Sequence, residues 1–227
     1  MNPITVLLAE DHMIVREGLV ALLKLENDIE VVGQAENGRQ AVEMTRKLCP
    51  NVVVMDIAMP LLNGLEATRQ ILEELPTTKV LILSAHCDDA YVAHFLELGA
   101  AGYLIKQTAA NVLPKAIREV SKGKTFFSPS VSKRLRVHQQ IAKEPGEFGT
   151  KSEPIRLTSR ETEVLQLISE GKANKQTADE LHISIKTVEK HRQSLMKRLE
   201  IHDTAGLTRY AIANGVIESS VQVTIIP

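Results

Sequence analysis

Across its first 125 residues the sequence switches five times between two periodicities, and few folds satisfy that pattern. Apolar runs of strand length occur at ITVLLA (4–9), IEVVGQA (29–35), NVVVM (51–55), KVLILS (79–84) and AGYLI (101–105). Short runs with little polar alternation are what strands buried on both faces look like. Between and after them, apolar residues recur at helical spacing. Val15, Leu19, Leu22 and Leu23 mark the first such segment, and others cover about 38–48, 64–75, 88–98 and 109–121. Strands alternating with helices specify βαβ units and a parallel sheet with helices on both faces. Right-handed crossovers narrow this to a doubly wound sheet, here the five-stranded flavodoxin-like version.

Such a fold gathers the carboxyl ends of its strands at one edge, where open α/β sheets hold their ligands. Those ends carry Glu10 and Asp11, Asp56, Ser84, and Lys106. Three clustered carboxylates repel one another unless a cation lies among them, and an all-oxygen site suits Mg²⁺. A lysine can neutralise added negative charge and a hydroxyl can donate a hydrogen bond to it. This inventory fits a site that accepts a phosphoryl group on a carboxylate. Each residue also has an ordinary reading. Asp56 can turn the chain after its strand, and Glu10 and Asp11 can favour a helix N-terminus. The coincidence at the strand ends is what argues against those readings.

A length of 227 residues accommodates two domains. No apolar run approaches the ~20 residues that cross a bilayer. The opening MNPITVLLAEDH has no basic stretch and turns acidic early, so neither a leader peptide nor a membrane partner is expected. Cys49 and Cys87 have no metal-ligand spacing and suit a reducing, cytoplasmic compartment. Charge divides unevenly. Residues 1–125 hold 12 basic against 16 acidic side chains, net −4, and residues 126–227 hold 15 against 12, net +3. The basic half points weakly toward an acidic partner.

The alternation stops near residue 125. Residues 125–154 mix Ser, Pro, Gly and charge and read as a tether, helical around 131–141, with a basic cluster at Lys133, Arg134 and Arg136. Helix signals return at Thr158, which forms a capping box with Glu161 ahead of Val164, Leu165 and Ile168. Gly171 ends that helix, and Asn174 caps the next, with Ala178 and Leu181 inward. Ser184 caps a longer helix over 185–199, and a last one runs from about Asp203 to Asn214–Gly215. Four helices with short connections predict a small all-α helix-turn-helix domain over 155–220.

In the 185–199 helix, Val188, Leu195 and Leu199 face one way. Lys186, Glu189, Lys190, Gln193 and Lys197 form a polar stripe on another side. A solvated face has the same spacing. The basic residues around it (Lys172, Lys175, His191, Arg192, Arg198) favour phosphate contact. His191 has no acid or cysteine at ligand spacing, which argues against a metal role.

Residues 1–124, through AEDH, MDIAMPLLNG, LSAH and GYLIK, resemble a response-regulator receiver domain. The resemblance implies that Asp56 is the phosphoacceptor, that Glu10, Asp11 and Asp56 bind Mg²⁺, and that Ser84 and Lys106 contact the phosphoryl oxygens. Tyr103 stands at the family's aromatic switch. Gln107 departs from the proline that often follows the lysine. LTSRETEVLQLISEGKANKQTADELHISIKTVEKHRQSLMKRLEI is similar to the LuxR-type DNA-binding domain. The whole chain therefore resembles the NarL/FixJ family of response regulators. Base-reading slots fall on Glu189, Lys190 and Gln193, and phosphate-contacting slots on Lys175, Thr187, His191 and Lys197, with Lys186 on the same surface. Glu189 replaces a frequent lysine, which shifts preference toward a cytosine N4 donor.

The implied function is transcriptional control rather than enzymatic turnover. A sensor histidine kinase would donate the phosphoryl group, and a homodimer formed on phosphorylation would bind double-stranded DNA, with RNA polymerase as a further partner. Two rivals compete. An aspartyl-phosphate phosphatase would want its nucleophile after the first strand and an acid two residues on, where this chain has Ala58. A phosphate sink or protein-interaction module would not use DNA.

Overall fold

The computed structural model describes residues 2–85, 92, 95–129, 131–132 and 157–217, with the backbone alone at 108–110. They fall into two compact units that divide between Pro154 and Ile155.

In the first unit β1 (Ile4–Ala9), β2 (Ile29–Ala35), β3 (Val52–Asp56), β4 (Lys79–Ser84) and β5 (Gly102–Ile105) form a parallel sheet. They interleave with α1 (Met13–Leu23), α2 (Gly38–Leu48), α3 (Gly64–Glu74) and α4 (Lys106–Ser121). The spatial order β2-β1-β3-β4-β5 reverses direction at β1 and β3, as a doubly wound sheet requires. Because side chains alternate across a strand, each strand feeds two cores. Leu7, Val53, Met55, Ile82 and Tyr103 join Ala41, Val42, Ala67 and Ile71 on one face. Val6, Leu8, Val54, Leu83 and Leu104 meet Leu19, Leu23, Leu113 and Ile117 on the other. Each fully buried Val, Leu or Ile contributes about 1.5–3 kcal/mol, so the two layers hold the sheet edge rigid.

Four features differ from the sequence reading. A sixth strand, β6 (Phe126–Phe127), pairs with Gly102 and Tyr103 and extends the sheet into residues assigned to the tether. Ser128 N–H then donates to the Tyr103 carbonyl, and Val131 is fully buried in the first core. A two-residue strand is too short to show a periodicity. The helix expected over 109–121 begins at Lys106, with Ile105 as its N-cap. A proline at 107 would have pushed residue 106 out of helical geometry, and Gln107 does not. In α1 the inward face is Arg16, Leu19 and Leu23, while Val15 is exposed. Of the helix expected over 88–98, Val92 and residues 95–97 are helical, Leu98 is already in the turn that follows, and 88–91, 93 and 94 lie outside the described residues. So do most of the tether, the basic cluster at 133–136 and Cys87.

The second unit comprises α5 (Ser159–Ser169), α6 (Asn174–Leu181), α7 (Ile185–Leu199) and α8 (Thr204–Ala213). The Thr158–Glu161 capping box forms, Ser184 Oγ accepts from Thr187 N–H at 3.1 Å, and Asp203 caps α8. The fourth difference lies here. Asn174 is the first residue of α6 and not its cap; Ala173 takes the cap position, and its N–H donates to Gln176 Oε1. Val164, Leu165, Ile168, Ala178, Leu181, Val188, Leu195 and Leu207 form the core.

Candidate functional sites

The sheet register assembles the first site. Ala9 lies opposite Met55, so Glu10 emerges beside Asp56. Asp56 pairs with Leu83, one residue before Ser84, and Ser84 pairs with Ile105, one residue before Lys106. The turn after Asp56 then doubles back closely. Gly64 N–H donates to the Ile57 carbonyl, and a Cβ on Gly64 would stand 1.9 Å from the Asp56 carbonyl oxygen. No side chain fits there, which accounts for the glycine. Leu61, at φ 67°, completes this turn in the left-handed region.

Lys106 Nζ lies 2.9 Å from Asp56 Oδ2 and 2.8 Å from Glu10 Oε2, bridging two carboxylates that are 2% and 1% exposed. Asp56 Oδ1 accepts from Ile57 N–H at 2.8 Å. Ser84 and Tyr103 are buried, and Tyr103 meets Phe95 edge-on with ring centroids 6.1 Å apart. Burial, then the charge of Glu10, pushes Asp56 up to about 7 against the opposing pull of Lys106. Lys106 loses solvation as well. Its ion pair with Asp56 and its hydrogen bond to Glu10 outweigh that loss and hold its ammonium above the ordinary lysine range.

Glu10, Asp11, His12 and Asp56 present ligand atoms within 4.8 Å of one another. Glu10 Oε2, Asp11 Oδ1 and Asp56 Oδ2 are buried and accept no well-directed hydrogen bond from the described residues. Lys106 lies at ion-pair distance from Glu10 Oε2 and Asp56 Oδ2 while donating to Glu10 Oε1 at 3.1 Å, and His12 lies beside Asp11 Oδ1. Buried carboxylate oxygens left short of donors are a fit for a hard divalent cation. His12 Nδ1 stands 2.8 Å from Asp11 Oδ1. The sequence reading gave His12 no role, although its place directly after the acid pair was a usable signal.

The second site is the outer surface of α7. Lys186, Glu189, Lys190, Gln193 and Lys197 are exposed on it, as is Lys175 on α6. Thr187 and His191 are half-buried, Thr187 with its Oγ1 2.8 Å from Ser184 Oγ. Lys175, Lys186, Lys190 and Lys197 make no ion pair with another described residue, so their charges stay available. Three of the surrounding cations expected to meet phosphate are instead engaged within the unit. Lys172 pairs with Glu180 at 2.9 Å and Arg198 with Glu161 at 3.0 Å. Arg192 donates to Asn174 Oδ1 and Thr204 Oγ1, tying the starts of α6 and α8 to α7. Their partners come from other helices, and no local spacing announces them.

Comparison with known proteins agrees with both halves. Residues 6–118 match the response regulator receiver domain, and residues 156–211 match the bacterial regulatory proteins of the luxR family. The chain is 37% identical to the transcriptional regulatory protein DegU of Brevibacillus brevis, over 96% of each chain. It is 35% identical to the response regulator protein VraR of Staphylococcus aureus, over 95% of this chain and 99% of that one. Among solved structures, the complex of the two-component response regulator RcsB with DNA is similar, with a TM-score of 0.57 and 29% identity. That match covers 94% of this chain and 99% of the other.

Proposed function

This chain belongs to the NarL/FixJ family of two-component response regulators, which are DNA-binding transcriptional regulators, and we propose that it is switched by a phosphoryl group accepted on Asp56. One observation carries that reading. A buried Asp56 carboxylate lies between two further acids and an ammonium 2.9 Å away, with oxygens short of donors.

The donor is a phosphohistidine of a sensor kinase. An Asp56 carboxylate oxygen forms the new O–P bond while the P–N bond breaks. The electron pair remains on the donor imidazole, which takes up a proton. Lys106 already bridges Asp56 and Glu10 and turns its ammonium to the incoming phosphoryl oxygens, and the Ser84 hydroxyl donates a hydrogen bond to them. Glu10, Asp11 and Asp56 are the residues that would hold Mg²⁺, whose charge lets three carboxylates and a phosphoryl group coexist. Tyr103 is the aromatic that responds to the new occupant.

Phosphorylation favours a homodimer whose α7 helices enter the major groove. RcsB, a similar protein, is recorded as dimers bound to DNA. Glu189, Lys190 and Gln193 then meet base edges. Lys175, Lys186, Thr187, His191 and Lys197 meet the backbone. DNA as the partner makes the cytoplasm the place of action, with RNA polymerase as the downstream contact.

An acyl phosphate donor with intact-mass detection tests the phosphorylation step. The wild-type chain should gain one phosphoryl group in Mg²⁺ and essentially none in chelator, and Asp56→Asn should gain none. A variant that still gained the group at the wild-type rate would refute the assignment.

A further inference from the structure

Arg16 lies in the second turn of α1, on the stripe that Leu19 and Leu23 continue into the core, and it is 7% exposed. A buried guanidinium is costly unless its donors are met. Arg16 Nη1 donates to the Glu10 carbonyl at 2.7 Å and reaches the Asp11 carbonyl at 3.4 Å. Nη2 donates to Glu36 Oε1 at 2.8 Å. Those two carbonyls lie where β1 has ended, beyond the sheet ladder that would otherwise satisfy them. Holding a carbonyl fixes its peptide plane, and with it the direction in which the adjoining side chains leave the backbone. The adjoining side chains here are Glu10 and Asp11.

We infer that Arg16 is a positioning residue for the acidic site: its buried fork clamps the carbonyls of Glu10 and Asp11 so that their carboxylates stand ready for a divalent cation. The inference rests on the reading of that site given above. Glu36 closes the clamp from the far side. Its own N–H donates to Gln40 Oε1 at 2.9 Å, which secures the loop between β2 and α2. The planar fork reaches two carbonyls and a carboxylate at once, which a lysine ammonium cannot do with the same geometry.

The test uses the full chain and measures Mg²⁺ binding by calorimetry without any phosphodonor, beside thermal unfolding of the same samples. Arg16→Lys keeps the charge and should weaken Mg²⁺ binding about 10- to 100-fold, the usual effect of losing a group that orients metal ligands. Glu36→Gln cuts the ion pair but leaves the carbonyl contacts, and should change Mg²⁺ affinity by less than about 3-fold. The phosphorylation rate of Arg16→Lys should recover as Mg²⁺ is raised in proportion. A purely structural role would lower the unfolding midpoint of both variants and leave both Mg²⁺ affinities at the wild-type value. That result would overturn the positioning role while the acidic site stood. A wild-type chain that bound no Mg²⁺, or an Asp56→Asn variant that bound it as well as wild type, would overturn the site reading and the positioning role together.

Discussion

Asp56 in the first unit and Glu161 in the second are both carboxylates with almost no exposure, at 2% and 4%, yet their surroundings drive them in opposite directions. Burial pushes both toward the protonated form. Around Asp56 the charges of Glu10 and Asp11 add to that push, and Lys106 opposes it without prevailing. Around Glu161, hydrogen bonds from Thr158 N–H, Ser194 and Thr158 Oγ1, with the Arg198 guanidinium, reverse it and hold the carboxyl below its usual value. A buried acid with donors on both of its oxygens is a structural joint; here it ties α5 to α7. A buried acid crowded by like charge is instead left strained in its charged form, the condition in which an added cation or a change of charge has the most to relieve. Burial alone would have classed the two together.

The sharpest way to break this comparison is to delete Glu161. Glu161→Ala removes the capping box and the acceptor of Ser194 and the Thr158 N–H, and should destabilise the second unit by about 3–5 kcal/mol in denaturant unfolding. A loss under ~1 kcal/mol would mean that Glu161 is not the joint described.

Next in size is the pH response without Mg²⁺. Folded Asp56 keeps its proton to about 7, whereas the unfolded chain releases it near 3.8. Between those values the folded state binds more protons, so the first unit should lose stability as pH rises through that window. The loss should be on the order of 4 kcal/mol. Asp56→Asn should remove that slope and be the more stable chain at pH 8. Glu161 has the reverse sign: its contribution is complete above the usual carboxylate range and is lost as pH falls through its lowered value. Hydrogen exchange, resolved unit by unit at pH 5 and pH 8, separates the two responses. Parallel slopes in the two units would defeat the contrast.

The exposed stripe on α7 allows a subtler test. Gln193→Ala should cost about 1–3 kcal/mol of discrimination at one or two base pairs, with the salt dependence of binding nearly unchanged. Lys175→Ala should weaken operator and scrambled duplexes alike and lower the salt slope by about one unit. Titrations over a salt series read both. Equal losses on the two duplexes for Gln193→Ala would show that this face does not read bases.

The smallest expected effect is at the turn beside Asp56. Leu61 holds a left-handed backbone that a side chain disfavours. Leu61→Gly should stabilise the first unit by about 0.5–1 kcal/mol, a modest rise in unfolding midpoint. Any decrease would show that the leucine's packing outweighs its strain.

Much of this molecule is legible in its sequence, because much of it is local. Strand runs, helical spacing and caps such as Thr158–Glu161 and Ser184–Thr187 are written within three or four residues of one another, and the helix ends follow them closely. The convergence of Glu10, Asp56 and Lys106 could also be anticipated, since a parallel doubly wound sheet places its strand ends together whatever the loops contain. The ion pair itself joins residues 96 apart in the chain. Tertiary structure alone decided four things: that Phe126 and Phe127 would add a strand, that Arg16 would turn inward, that Arg192 and Arg198 would serve their own unit, and that two buried carboxylates would shift in opposite directions. Each depends on which donors and charges neighbouring elements bring within about 3 Å, the range of a hydrogen bond. Spacing along one segment does not encode the groups that a different segment will supply.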